Sequence, residues 1–273
     1  MSVRKRWRRW ALFGLAIVVT LANVAPMIWI ALSGFKTRLE IFTLPPVWIP
    51  SRLFLGNFQR VLEDNLPFLV NSALVTGITT AGVLLLAVPA AFALAVFSFK
   101  RKGDLEMWIL STRMMPPIAA AVPLFLASRA LNLFDTLPGL ILVYVGFNLS
   151  FAVWLATSFF RSMPMEILEA ARVDGASWLQ ILTRIAVPLN RGGIATVSVF
   201  TAIFSWNELL VPLFLTSNSA KTFTIVLTEF QGQTNTVWEQ MAAGAAIQVL
   251  PIVILTFIVQ RSIVAGVTMG AVK

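Results

Sequence analysis

Four stretches of this chain run for more than twenty residues without a charge: 10–35, 65–99, 136–160 and 240–260. About 20 apolar residues in a helix cross the hydrocarbon core of a bilayer, and in lipid every backbone N–H and C=O must be satisfied within the segment. Two more stretches are apolar apart from one charge each: about 107–128, which holds Arg113, and about 192–217, which holds Glu208. The expected fold is therefore an all-α integral membrane protein with six transmembrane helices. Composition agrees, because 58% of the residues are hydrophobic and only 12% charged. A soluble domain carries about 25% charged residues; at half that share the polar groups could not cover a globule.

Six spans put both ends on one side, and the basic residues say which. Fourteen of the 21 Lys and Arg residues fall in the N-terminal tail, the turn at 100–102, the segment after the fourth span and the C-terminal tail. By the positive-inside rule both termini of this multi-pass chain are expected in the cytoplasm. The net charge of +9 is explained by those loops and needs no nucleic-acid partner. The first span is expected to be retained: its apolar stretch is too long for a signal peptide and no Ala-x-Ala site ends it. The domain plan is a tail, first span and outer loop over 1–67, a core of five spans over 68–264, and a cytoplasmic tail over 265–273.

There is no Cys and no His, which excludes disulfides, thiol and imidazole chemistry and the usual zinc sites. No phosphate-binding loop is present either; the nearest string, Gly34-Phe35-Lys36-Thr37, lacks a Gly directly before the Lys. No enzyme activity, cofactor or metal is expected of this chain. The outer loops are a Pro-rich one at about 34–66 and a polar one at about 218–239. Gln231, Gln233 and Asn235 in the second could meet a partner protein or simply connect two spans.

Residues 161–190 are too polar to cross and too apolar for a free loop. Pro164 suits a first helical position, and Glu166 and Glu169 sit where the helix dipole favours a negative charge. Ile167, Leu168, Ala171 and Val173 give an apolar face. Asp174-Gly175 breaks the helix, Ser177-x-x-Gln180 is a capping-box pattern that restarts it, and Pro188 stops or kinks the chain before the next span. This elbow could be gripped by another protein or could pack on lipid. The remaining polar candidates lie inside spans. Arg113 lies about 9 Å into its helix at helical rise and precedes Met114-Met115-Pro116-Pro117. An Arg in a span costs about 2.5–3.5 kcal/mol unless it faces protein or water. It either lines a cavity or snorkels to the interface. Glu208, beside Asn207, lies about 24 Å from the cytoplasmic start of its span, so it meets Arg113 only if the helix break shifts their heights. It belongs to a translocation path or to an interhelical clamp. Asn148, Asn71 and Ser150 are lesser candidates.

Glu169-Ala170-Ala171-x-x-Asp174-Gly175-Ala176, with Pro188 beyond, resembles the EAA signature of permease subunits of ABC importers. Arg113 through Pro117, Trp206-Asn207-Glu208 and the closing Gly266-Val267-Thr268-x-Gly270-Ala271-Val272-Lys273 are similar to further motifs of the carbohydrate branch. Within that branch the chain looks like the shorter, six-span partner of the maltose-type pair. The resemblance implies that Glu166, Glu169, Ala170, Ala171, Asp174, Gly175 and Ala176 form a coupling elbow against a cytoplasmic ATPase homodimer, which binds the ATP. It also implies a second, homologous permease and a periplasmic solute-binding protein, contacted by Gln231, Gln233 and Asn235. Arg113, Met114, Pro116, Asn148, Asn207 and Glu208 would lie along the path of a sugar or sugar-like solute. The competing class is an ion-coupled secondary transporter, which normally shows inverted repeats and several intramembrane carboxylates; the sequence shows no repeat and Glu208 alone.

Overall fold

The computed structural model describes residues 3–232 and 236–269. The described residues form helices α1 (Val3–Ser33), α2 (Arg38–Phe42), α3 (Gly56–Val96), α4 (Lys102–Arg113) and α5 (Ala121–Ala130), the last preceded by a 3-10 turn at Pro117–Ala120. Next come α6 (Leu137–Arg161), α7 (Met165–Val173), α8 (Trp178–Ile181), a π turn at Leu182–Ala186 and α9 (Val187–Leu189). The chain continues through α10 (Arg191–Trp206), α11 (Leu210–Leu215), α12 (Phe223–Glu229) and α13 (Trp238–Met269). Among the described residues four helices are long and apolar enough to cross a membrane, and up to six spans result if each of two bent pairs counts as one.

The sequence implies a bend after Arg113, at Pro116-Pro117, but no break within the segment expected at 192–217. The segment expected at 107–128 is α4 followed, after an 89° bend, by Pro117–Ala130. Pro116 and Pro117 supply no backbone N–H, and Pro116 pushes Met115 away from helical angles. The segment expected at 192–217 is α10, which ends at Trp206, and then the six-residue α11. The cause is Pro212, whose ring would clash with the carbonyl four residues back, that of Glu208. The chain opens there, and the Glu208 carbonyl accepts from the Tyr144 hydroxyl at 3.5 Å. The same rule explains the entry to α10. Pro188 would crowd the carbonyl of Arg184, and the turns before it widen to π geometry. The chain then bends by 81° between Leu189 and Arg191. α3 begins at Gly56 rather than near 65 and has 41 residues, about 60 Å at helical rise, so part of it extends beyond a bilayer core.

The chain divides into two compact units, 1–66 with 227–250 and 67–226 with 251–273. In the second unit the main core joins α3, α6, the α7–α9 region and α10 through Val83, Ala87, Ala152, Ala156, Leu168, Ile181 and Val197. A smaller core around Val75, Leu140, Tyr144, Val211 and Leu215 seats α11 on α6. In the first unit the Asn57 amide donates to the carbonyls of Gly34 and Lys36, both at 2.9 Å, and so fixes the turn after α1. Gly34 has no room for a side chain: a Cβ there would lie 2.9 Å from the Cα of Ala243.

Candidate functional site

The two helix breaks of the second unit meet at one cavity of about 420 Å³. Arg113, Met115 and Pro117 line it from the first break, Phe147 and Asn148 from α6, and Ile203, Phe204, Asn207 and Glu208 from the second. Of the residues expected along a path, Arg113, Asn148, Asn207 and Glu208 are thus brought together. Met114 and Pro116 are not on that wall; the bend gives their places to Met115 and Pro117, and Met114 is left 80% exposed.

Arg113 and Glu208 share the cavity without forming an ion pair. Arg161 and Glu106, by contrast, do form an ion pair. The Arg113 guanidinium lies 4.8 Å from the ring centre of Phe204 and 5.6 Å from that of Phe151, and its Nη1 donates to the Phe147 carbonyl at 3.2 Å. Aromatic faces attract a guanidinium and leave its edge donors available. Glu208 Oε1 accepts from the N–H groups of Leu210 at 3.0 Å and Val211 at 3.2 Å, capping the first turn of α11. Asn148, 5% exposed, donates to the Tyr144 carbonyl at 2.9 Å and to Ser205 Oγ at 3.4 Å, while its buried Oδ1 has no hydrogen-bond partner among the described residues. The cavity therefore offers a positive fork and a carboxylate, with the Asn148 Oδ1 itself buried in the wall. Phe147, Phe151, Phe200 and Phe204 were not singled out from sequence, although their i, i+4 spacing on α6 and α10 was the available signal.

Asn71 and Ser150 have structural partners. Asn71 donates to the carbonyls of Ser219 and Lys221, and Ser150 Oγ lies 2.6 Å from Thr112 Oγ1. A more extensive clamp, which the sequence did not suggest, centres on Asp135. Its carboxylate accepts from the backbone N–H groups of Ser217, Asn218, Ser219 and Ala220 at 2.9–3.2 Å. Burial pushes this carboxyl up, but the four backbone donors outweigh burial and hold its pKa at about 2.

The elbow residues form a second surface. α7 ends in a Schellman motif: the Gly175 N–H donates to Arg172 at 3.1 Å and the Ala176 N–H to Ala171 at 3.0 Å. Gly175 has φ +83°, the left-handed region that favours glycine. Pro164 is the N-cap, one residue before the position expected, and Ser177 and Gln180 form the capping box that restarts the helix. Leu168, Ala171 and Ile181 are buried, and Trp178 packs edge-on against Phe97 with ring centres 4.8 Å apart. Ile167, Val173 and Leu179 point outward at 41%, 88% and 70% exposure, beside exposed Glu166, Glu169, Ala170 and Asp174. Gln231 forms an isolated antiparallel bridge with Thr236. Gln233 and Asn235 lie outside the described residues.

Apolar helices, two of them interrupted around a shared cavity, define an integral membrane protein. The chain belongs to the family described as "Binding-protein-dependent transport system inner membrane component", which it matches over residues 84–269. It is 36% identical over 266 residues to a probable ABC transporter permease protein, y4oR, of Sinorhizobium fredii, covering 97% of this chain and 95% of that protein. It is 38% identical over 232 residues to the trehalose transport system permease protein SugB of Mycobacterium tuberculosis, covering 82% and 84%. The sulfoquinovosyl glycerol transport system permease protein SmoH of Agrobacterium fabrum is 32% identical over 262 residues, covering 94% and 92%. The fold matches a chain of a bacterial ABC transporter involved in the import of the acidic polysaccharide alginate, with a TM-score of 0.79 at 23% identity over 96% of this chain and 98% of that one.

Proposed function

We propose that this chain is one of two permease subunits of an importer for a sugar or sugar derivative, and that the cavity at the two helix breaks is part of the solute path. The observation that carries this reading is the cavity itself. Arg113 is held by aromatic faces and lines the cavity with Glu208 without forming an ion pair to it. A hydroxylated solute can donate to a carboxylate, and a guanidinium can fork onto vicinal hydroxyls or an acidic group. The names of the relatives, which refer to trehalose and sulfoquinovosyl glycerol, support a carbohydrate, and Arg113 favours an acidic one.

In this reading six spans, two of them broken, place both termini in the cytoplasm, in keeping with 14 of 21 basic residues on that side. The elbow, with its apolar tips at Val173 and Leu179, seats in a separate ATPase homodimer, which binds the ATP. The bare apolar surface of α1, with Leu12, Phe13 and Leu15 each more than half exposed, suits a second permease or lipid. The segment that includes Gln231, Gln233 and Asn235 meets a periplasmic binding protein.

Arg113→Gln tests the cavity. A charge-assisted hydrogen bond contributes about 1.5–3 kcal/mol against about 1 for a neutral one. For an acidic solute the variant is expected to raise half-saturation or lower uptake about tenfold, since 1.4 kcal/mol is tenfold. Arg113→Lys recovers part of this, because it lacks the planar fork. Normal uptake by Arg113→Gln at unchanged protein level would remove Arg113 from the path.

A further inference from the structure

A second cavity, of about 410 Å³, lies wholly within the unit formed by 1–66 and 227–250. It sits where α1 ends and α13 begins, at the end of α1 remote from its arginine-rich start. Most of its wall is apolar, contributed by Ile30, Ile41, Val47, Met241, Ala242 and Ala245. One cation interrupts it. Lys36 lines the cavity although only 2% of it is exposed, and its ammonium lies 3.7 Å from the ring centre of Trp29. Trp48 meets Trp29 edge-on at 4.7 Å, and Trp238 lines the same cavity.

Among the described residues Lys36 has no ion-pair partner within 4.0 Å. The nearby carboxylate, Glu40, is already occupied. It accepts from the Thr37 N–H at 2.9 Å and hydroxyl at 3.2 Å, and from the Ser51 N–H at 3.0 Å and hydroxyl. Burial pushes the Lys36 pKa down, and the charge of Glu40 draws it partly back. A buried cation is costly unless an anion or an aromatic face compensates it, and Trp29 supplies only the second. The site thus combines a charged point, an apolar trough and indole rings at the ends of two candidate spans, the level at which Trp meets lipid headgroups.

We propose that this cavity binds a membrane glycerophospholipid, with its phosphate on the Lys36 ammonium and an acyl chain along Ile30, Met241, Ala242 and Ala245. The volume falls in the range of about 300–1,000 Å³ typical of small-molecule sites, enough for a headgroup and part of one chain. A soluble anion would use Lys36 and leave the apolar trough wet; a neutral lipid would fill the trough and leave the cation unpaired. A phospholipid satisfies both. The proposal needs only that the chain is embedded in a membrane, and it holds whatever solute the transporter carries.

The test is native mass spectrometry of the full-length chain in detergent, titrated with dioctanoyl phosphatidylglycerol and, separately, with dioctanoylglycerol. Wild type is expected to hold one phosphatidylglycerol about tenfold more tightly than it holds dioctanoylglycerol. Lys36→Gln should abolish that difference while dioctanoylglycerol binding stays as in wild type, and Lys36→Arg should restore most of it. Ala242→Phe, which fills the trough and keeps the cation, should weaken both lipids; it decides the matter if Lys36→Gln does not accumulate. Equal binding of the two lipids by wild type, or undiminished phosphatidylglycerol binding by Lys36→Gln, would overturn the proposal. So would loss of the lipid from wild type when the other transporter subunits assemble, because the cavity would then be a protein contact.

Discussion

Gly175 allows the elbow to be loosened by a known amount without touching its surroundings. Its φ of +83° is the whole reason for glycine there, because a Cβ built on it would meet nothing within 4 Å. Gly175→Ala therefore carries only the backbone penalty of the left-handed region, about 1–2 kcal/mol. Gly175→Asn costs less, since Asn tolerates that region better than Ala. Gly175→Pro does two further things. It forces φ to about −65° and it deletes the N–H that donates to Arg172 at 3.1 Å, so the Schellman turn cannot form. An equilibrium shift of about 1–2 kcal/mol is a factor of about 5–30 in the population of the formed elbow. The assay is binding-protein-stimulated ATP hydrolysis by the assembled transporter, with the membrane content of this subunit measured in parallel. Stimulation should fall in the order Gly, Asn, Ala, Pro at constant subunit level, severalfold for Ala and to background for Pro. Full stimulation in Gly175→Pro would show that the elbow packs on lipid and does not couple. Equal loss in Ala and Pro would refute the backbone argument.

Other outcomes follow from the same geometry. Asp135, with its carboxyl at about 2 in the fold and about 4 in an unfolded chain, binds fewer protons when folded; its clamp is complete above about pH 4 and is lost as pH falls through about 2. Asp135→Asn should cost about 1–3 kcal/mol and raise amide hydrogen exchange at 217–220 already at neutral pH, and unchanged exchange would refute the clamp. Gly34→Ala forces a Cβ to within 2.9 Å of the Ala243 backbone, so about 1–3 kcal/mol of overpacking should lower the thermal midpoint. Reporter fusions at Lys102 and Ser177 should read as cytoplasmic and one at Pro50 as periplasmic; the opposite pattern would remove the elbow from the ATPase side.

The four charge-free runs were legible because little in them competes with a helix: α1, α3, α6 and α13 cover all but a few end residues of them. Hydropathy could not show the breaks, since a broken apolar run has the same composition as a straight one. The signals were local. Pro116-Pro117 announced the first bend, and Pro212, four residues beyond Glu208, was the unread sign of the second. The start of α3 at Gly56 was hidden because Arg60, Glu63 and Asp64 make its first turns look like loop. The turn at Gly175 and the cap at Ser177 were readable from type and spacing. Gly34 against Ala243 and Asp135 against 217–220 were not, because such contacts join residues far apart in sequence. For the cavity, Arg113, Asn148, Asn207 and Glu208 stood out as polar groups in apolar runs. Their convergence depends on two bends that bring one helix end to another.

The energy source for uptake separates the proposed ATP-driven importer from an ion-coupled carrier. The decisive measurement is uptake of a labelled acidic sugar into proteoliposomes that contain this chain, its second permease and the ATPase, with the binding protein added on the outward face. Uptake should require both the binding protein and ATP hydrolysis, proceed without any ion gradient, and drop about tenfold with Arg113→Gln. Uptake driven by a proton or sodium gradient in the absence of ATP and binding protein would contradict this and make the chain an ion-coupled carrier.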